Sequence, residues 1–189
     1  MRIYLVRHGE SEGNVRQEIN DDPHRIVNLT ARGRAQAEMA AEKLRAVLFT
    51  HAYVSEFPRA RQTAEILLRH HRLPLRTDGR LNERRSGMDG LPVRVFNDLM
   101  RADPLRCKPE RGESFLDQMQ RLRDFLDEIG SRHADGLVLA VSHENPIVAA
   151  FALTVADPER VIGDSVANCA WIELDWPAGR GHNKHGQIQ

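Results

Sequence analysis

A chain of 189 residues suits one domain and is long enough to bury a sizeable core. It has 41% hydrophobic and 29% charged residues, with 27 basic against 27 acidic side chains. The formal net charge is therefore zero, so bulk electrostatics points neither to nucleic acid nor to an anionic membrane surface. Two cysteines, Cys107 and Cys169, form no disulfide framework and no zinc pattern. The first apolar run is too short for a signal peptide, and the longest, residues 146–156, is too short to cross a bilayer. A reducing cytoplasm is the expected compartment.

Residues 3–6 read as a short, fully buried strand that runs straight into Arg7, His8, Gly9 and Glu10. An alanine-rich helix is expected over residues 29–48, with Thr30 as its N-cap. A second buried strand at 52–55 leads into a helix on which Ala60, Ala64, Leu67 and Leu68 share a face. Residues 73–81 look extended. Periodicity then weakens across residues 84–111, a short cap-like insertion with one helix signalled by Val93, Phe96 and Met100.

The clearest amphipathic helix begins at "ESFLDQMQ", carries Phe115, Met119, Leu122, Phe125, Leu126 and Ile129 on one side, and is expected to stop at Gly130. Residues 137–142, "LVLAVS", form another buried strand, followed by His143 and a helix opened by Pro146. "CAWIELDW" supplies the last strand. The tail, residues 178–189, is polar and expected to be flexible. Its His182 and His185 are read as part of that tail rather than as metal ligands.

Buried, non-alternating strands interleaved with helices predict a mostly parallel sheet in an α/β/α sandwich, a single domain over residues 1–177. Ligands of such sheets bind outside the carboxyl ends of the strands. His8, Arg59 and His143 each follow a strand at that edge, and Arg7 precedes His8 directly.

Two arginines and two histidines close together suit a compact anion, and guanidinium forks match phosphate oxygens. Gly9 would let a phosphate approach the main chain, and Asn14 lies on the same loop. Neither a glycine-rich nucleotide cradle nor a metal-ligand spacing is present. A neutral imidazole beside phosphate can attack phosphorus, and adjacent Arg7 and Arg59 disfavour its protonation. Glu83 is a candidate proton donor if burial raises its pKa.

"RHGESEGN" resembles the signature of the histidine phosphatase superfamily, which includes cofactor-dependent phosphoglycerate mutases and many phosphatases. The resemblance continues in order through "LTARGRAQA", "SEFPRARQTA", "LNER", "GES" at residues 112–114 and "VSHE". It implies a phosphoglycerate mutase-like three-layer α/β/α fold and a catalytic set of His8, Glu83, Arg7, Arg59 and His143. In that set His8 is phosphorylated, Arg7, Asn14, Arg59 and His143 hold the phosphoryl group, and Glu83 donates a proton and then activates water. Glu10 and Ser11 are supporting residues, while Thr30, Gly33, Gln36, Thr63 and Glu113 are expected to cap and pack.

Two departures stand out. Glu144 occupies a position where the family often has glycine, and Pro58 precedes Arg59. Glu144 should repel phosphate unless it is turned away or paired, or it reads a cationic or hydroxyl-bearing part of the substrate.

Mutases, as the resemblance implies, carry longer basic insertions than residues 84–111. The expected activity is therefore hydrolysis of small-metabolite phosphomonoesters, without metal or cofactor. The alternatives are a mutase using 2,3-bisphosphoglycerate, a phosphatase acting on protein phosphohistidine or phosphotyrosine, and a non-catalytic phospho-ligand module. The partner is a small phosphorylated substrate, with no nucleic acid or membrane. The oligomeric state is open, a homodimer included.

Overall fold

A computed structural model describes residues 1–177, so the expectations for residues 178–189 lie outside the described residues. Five strands form one sheet in the order β3-β2-β4-β1-β5. They are β1 (Arg2–Arg7), β2 (His51–Val54), β3 (Leu75–Thr77), β4 (Leu137–Ser142) and β5 (Trp171–Asp175). Strands β1, β2, β3 and β4 run parallel, and β5 pairs antiparallel with β1 at one edge.

The apolar runs are continuous because both faces of the sheet are covered. Ile3 and Leu5 of β1 and Val138 and Ala140 of β4 face one core. That core is closed by α5 (Phe115–Arg132) and α6 (Glu144–Ala152). Val6, Val54, Leu139 and Val141 face the other core, under α2 (Ala31–Leu44) and α3 (Pro58–Leu67). The result is the three-layer α/β/α arrangement expected from the sequence. Among the described residues, no helix is long and apolar enough to cross a membrane.

Local chemistry fixes most helix starts. The Thr30 hydroxyl accepts from the Gly33 N–H and caps α2. Ser114 and Asp117 form a reciprocal capping box at α5, and Ser11 and Asn14 form another at the short α1 (Glu12–Arg16). The weakly patterned segment holds α4 (Val93–Met100), where Val93, Phe96 and Met100 had signalled a helix.

Three expectations are corrected. The α2 helix ends at Leu44 rather than at 48, because turns at Arg45 and Val47 bring Phe49 into the core and leave Leu48 exposed. Residues 73–81 are extended only over β3. Asp78 then accepts from the Arg80 N–H and starts a 3₁₀ turn, Gly79–Leu81. Gly130 does not stop α5, which continues to Arg132. A Cβ at Gly130 would lie 3.1 Å from Cδ1 of Trp176, so the glycine makes room for that indole, whose Nε1 donates to Asp127 at 2.9 Å.

The loop after β1 crosses the first turn of α2 in backbone contact. A Cβ on Gly9 would strike the Gly33 carbonyl, and one on Gly33 would strike the Glu10 main chain. The close approach that Gly9 permits is therefore to the protein's own backbone, not to phosphate. The Gly9 N–H is in any case taken by Thr63 Oγ1 at 3.1 Å. Gly33→Ala should cost about 2 kcal/mol as overpacking at a contact that cannot relax sideways. A urea titration with an unchanged midpoint would contradict that crossing.

Candidate active site

The parallel strands β1, β2 and β4 end on one side of a cavity of about 380 Å³. Strand β1 delivers Arg7 and His8, and β4 delivers His143. Strand β2 leads through Ser55 and Phe57 to Arg59 in the first turn of α3. Pro58 sits at the first position of α3, where its missing N–H costs nothing. His8, His143 and Arg59 are buried, at 3%, 0% and 4% exposure, so the polar groups seen in sequence converge in the interior of the fold.

The His8 tautomer follows from its partners. Nδ1 lies 2.7 Å from the Gly9 carbonyl, which can only accept, so Nδ1 carries the proton. The Arg59 Nε–H, which can only donate, points at Nε2 from 3.1 Å. Nε2 is therefore the unprotonated nitrogen, and its lone pair accepts from Arg59. Burial holds the His8 pKa well below the ordinary histidine value, and the charges of Arg59 and Arg7 push it the same way.

His143 is depressed for the same first reason, burial, with Arg59, His8 and Arg7 adding to it. Its Nε2 pairs with Ser55 Oγ at 2.8 Å, and its ring packs edge-on to His8 with centroids 5.0 Å apart. Nδ1 of His143 and Nε of Arg7 are buried and have no partner among the described residues.

Arg59 lies over the Phe57 ring at 4.4 Å, and burial pushes its pKa down to about 10. Its terminal nitrogens donate to the side chain and carbonyl of Asn20. Arg7 donates to the Val166 carbonyl and pairs with Glu144 at 3.1 Å. The carboxylate that broke the family pattern is thus paired rather than turned away. Asn14 accepts from the Ser11 N–H and hydroxyl, and its side-chain nitrogen has no partner among the described residues.

Glu83 stands across the cavity on the loop after the 3₁₀ turn. Burial raises its pKa from the ordinary glutamate value, against the Arg84 N–H, Arg59 and Arg7, and Glu144 adds to the rise. The peptide carrying it is held from two sides. Ser142 Oγ donates to the Leu81 carbonyl at 2.6 Å, and Arg121 donates to the carbonyls of Arg80 and Asn82 at 2.7 and 3.0 Å. Glu113 pairs with Arg121 and accepts from the Arg85 N–H at 3.1 Å.

The supporting residues behave similarly. Gln36 accepts from the Glu10 N–H at 2.8 Å, and Thr30 donates to the Glu10 carboxylate at 2.7 Å. Sequence reasoning missed Asn20, Ser55, Arg121 and Asn168, whose amide donates to the His8 carbonyl at 3.0 Å. Ser55 opens the stretch "SEFPRARQTA" and had that signal, whereas Asn20, Arg121 and Asn168 carry no local one. Among the described residues no three potential metal ligands come together.

A family model described as the histidine phosphatase superfamily (branch 1) matches residues 3–187. The adenosylcobalamin/alpha-ribazole phosphatase of Escherichia coli (strain K12) is 30% identical over 186 residues, 93% of this chain and 90% of that protein. Phosphoglycerate mutase-like protein 4 of Arabidopsis thaliana is 32% identical over 155 residues, 75% of this chain and 65% of that one. The structure of mycobacterial glucosyl-3-phosphoglycerate phosphatase complexed with VO3 superposes with a TM-score of 0.80 at 26% identity, covering 92% of this chain and 90% of that chain. With that match along nearly its whole length, this chain belongs to the histidine phosphatase superfamily.

Proposed function

We propose that the chain hydrolyses phosphomonoesters of small metabolites through a phosphohistidine at His8. The observation that carries this reading is the pair of unpartnered buried nitrogens, Arg7 Nε and His143 Nδ1, beside a His8 whose Nε2 is held as a lone pair. Such orphaned nitrogens call for an acceptor-rich guest.

A phosphoryl group in the cavity accepts from Arg7, His143 and Arg59, with the Asn14 amide adding a donor. Once the Arg59 Nε–H is given over to a phosphoryl oxygen, the freed His8 Nε2 lone pair attacks phosphorus while the bond to the ester oxygen breaks, and protonated Glu83 gives that oxygen its proton. Water then attacks the phosphohistidine, Glu83 takes a proton from it, and neutral His8 is regenerated as phosphate leaves. The two guanidinium groups supply the charge stabilisation that the transferring phosphoryl needs. No step is assigned to a metal or cofactor. Residues 84–111 form a short cap, with Phe96 of α4 at the cavity wall.

A mutase reading has the Arabidopsis relative in its favour. Incubation with 3-phosphoglycerate, with and without 2,3-bisphosphoglycerate, separates the two. Free phosphate supports hydrolysis, and the 2-isomer formed only with the bisphosphate supports a mutase.

His8→Ala should lower p-nitrophenyl phosphate turnover by about three orders of magnitude or more while circular dichroism stays native. Retained turnover removes His8 as nucleophile. Glu83→Gln should cost about 100-fold on an alkyl phosphate but far less on p-nitrophenyl phosphate, whose leaving group needs no proton.

The reaction needs His8 as the base form and Glu83 as the acid form. Activity on the alkyl ester should therefore fall as pH rises through the elevated Glu83 pKa, and the low His8 pKa keeps the nucleophile neutral on the acid side. An alkaline limb that survives in Glu83→Gln would assign it to another group. Turnover should also persist in excess chelator, and a loss restored by added metal would overturn the metal-free scheme.

A further inference from the structure

Beyond its phosphate-facing nitrogens the cavity is lopsided in charge. Among the described residues that line it, the carboxylates are those of Glu18, Asp21, Glu144 and Asp164, beside Glu83, which the phosphatase reading keeps protonated, and the guanidinium groups are those of Arg7, Arg59 and Arg84. Arg84 is not available to a ligand. It is 5% exposed, donates to the carbonyls of Glu113 and Cys107 at 3.2 and 3.3 Å, and lies over the Phe96 ring at 5.1 Å. Arg7 and Arg59 stand at the phosphate end, and Arg7 already shares its charge with Glu144.

The acids are held in place. Glu144 Oε1 accepts from Ser165 Oγ and the Val166 N–H at 3.2 and 3.1 Å, which fixes its carboxylate to the wall. Asp21 accepts from the hydroxyl of Ser86 and the N–H of Gly87 at 2.7 and 2.9 Å. Asp164 has no ion-pair partner among the described residues, and Glu18 is matched by Arg16 and Arg25 on the outer side. The remaining wall is apolar, with Ile19, Val93, Val148 and Ile162.

A second anionic group entering with the phosphate would meet carboxylates and, among the described residues of this wall, no free cation. Like charges brought together at this wall repel. We propose that this wall, with Glu144 at its inner end, admits phosphomonoesters whose remaining part carries no negative charge and rejects those bearing a carboxylate or a second phosphate. The proposal rests on the phosphatase reading above and narrows its substrate class. It assigns Glu144 as a specificity-determining residue.

Glycerol 3-phosphate and 3-phosphoglycerate test it, because both are primary phosphate esters and they differ in hydroxymethyl against carboxylate. The protein should prefer glycerol 3-phosphate by about tenfold or more in kcat/KM, a factor equal to one tenfold step in transition-state affinity. Glu144→Gln keeps the acceptor for Ser165 and Val166 but removes the charge. It should narrow the preference severalfold, chiefly through a lower KM for 3-phosphoglycerate. Asp164→Asn should narrow it in the same direction and serves where the first variant does not fold.

Turnover of p-nitrophenyl phosphate with equal or better use of 3-phosphoglycerate overturns the proposal alone. A preference unchanged in a natively folded Glu144→Gln removes Glu144 from it. A chain inert on p-nitrophenyl phosphate overturns the phosphatase reading beneath it.

Discussion

Keeping the Arg59 cation out of water without an ion-pair partner is the constraint around which this site is built. Arg59 is 4% exposed and its nearest hydrogen-bond partners are uncharged: an imidazole, an amide and a carbonyl. Burying an unpaired guanidinium is unfavourable by several kcal/mol even after relaxation. The fold tolerates this because the phenyl face of Phe57 and the Asn20 oxygens supply partial compensation. The two histidines are held well below the ordinary histidine value, first by burial and then by the same positive charge. A site that holds positive charge at a cost is a site that binds an anion with gain.

That charge is useful only if the groups around it cannot drift, and most of the family signature serves to stop them drifting. The loop carrying His8 is locked where Gly9 and Gly33 leave no room for side chains, by Thr63 beneath Gly9 and by Gln36 and Thr30 on Glu10. The loop carrying Glu83 is locked by Arg121 and Ser142, with Glu113 holding Arg121 in turn. His8 and Glu83 thus sit on loops, while Gln36, Thr63, Arg121 and Ser142, which hold those loops, sit on helices and at a strand end. Groups positioned this way can meet a transition state without reorganising.

The sheet was legible because β1, β2 and β4 are buried on both faces and read as unbroken apolar runs. The convergence of Arg7, His8, Arg59 and His143 followed from strand ends alone. What escaped was decided between elements. Arg121 sits on a helix whose polar face predicts solvation, and only the path of residues 80–83 gives it carbonyls to hold. Gly130 reads locally as a stop, and only the Trp176 indole packed against it explains its place inside α5. Asn20 lies in a segment with no periodicity at all. Phe49 displaced Leu48 from the core because the chain had to leave α2 in time to enter β2.

Glu144 ties recognition to catalysis. Its carboxylate lies against Arg7, so it reduces the net positive charge offered to phosphate, which alone would be a disadvantage. Burial is the chief reason the Glu83 pKa is raised, and the same negative charge adds a lesser push toward the protonated form there. In that form Glu83 adds no charge to repel the incoming phosphate and has a proton to give to the leaving oxygen. Replacing glycine by glutamate after the second histidine therefore does more than decorate the wall. In the proposed mechanism Glu144 stands beside the substrate as a fixed negative charge, while Glu83 is favoured in its acid form chiefly by burial.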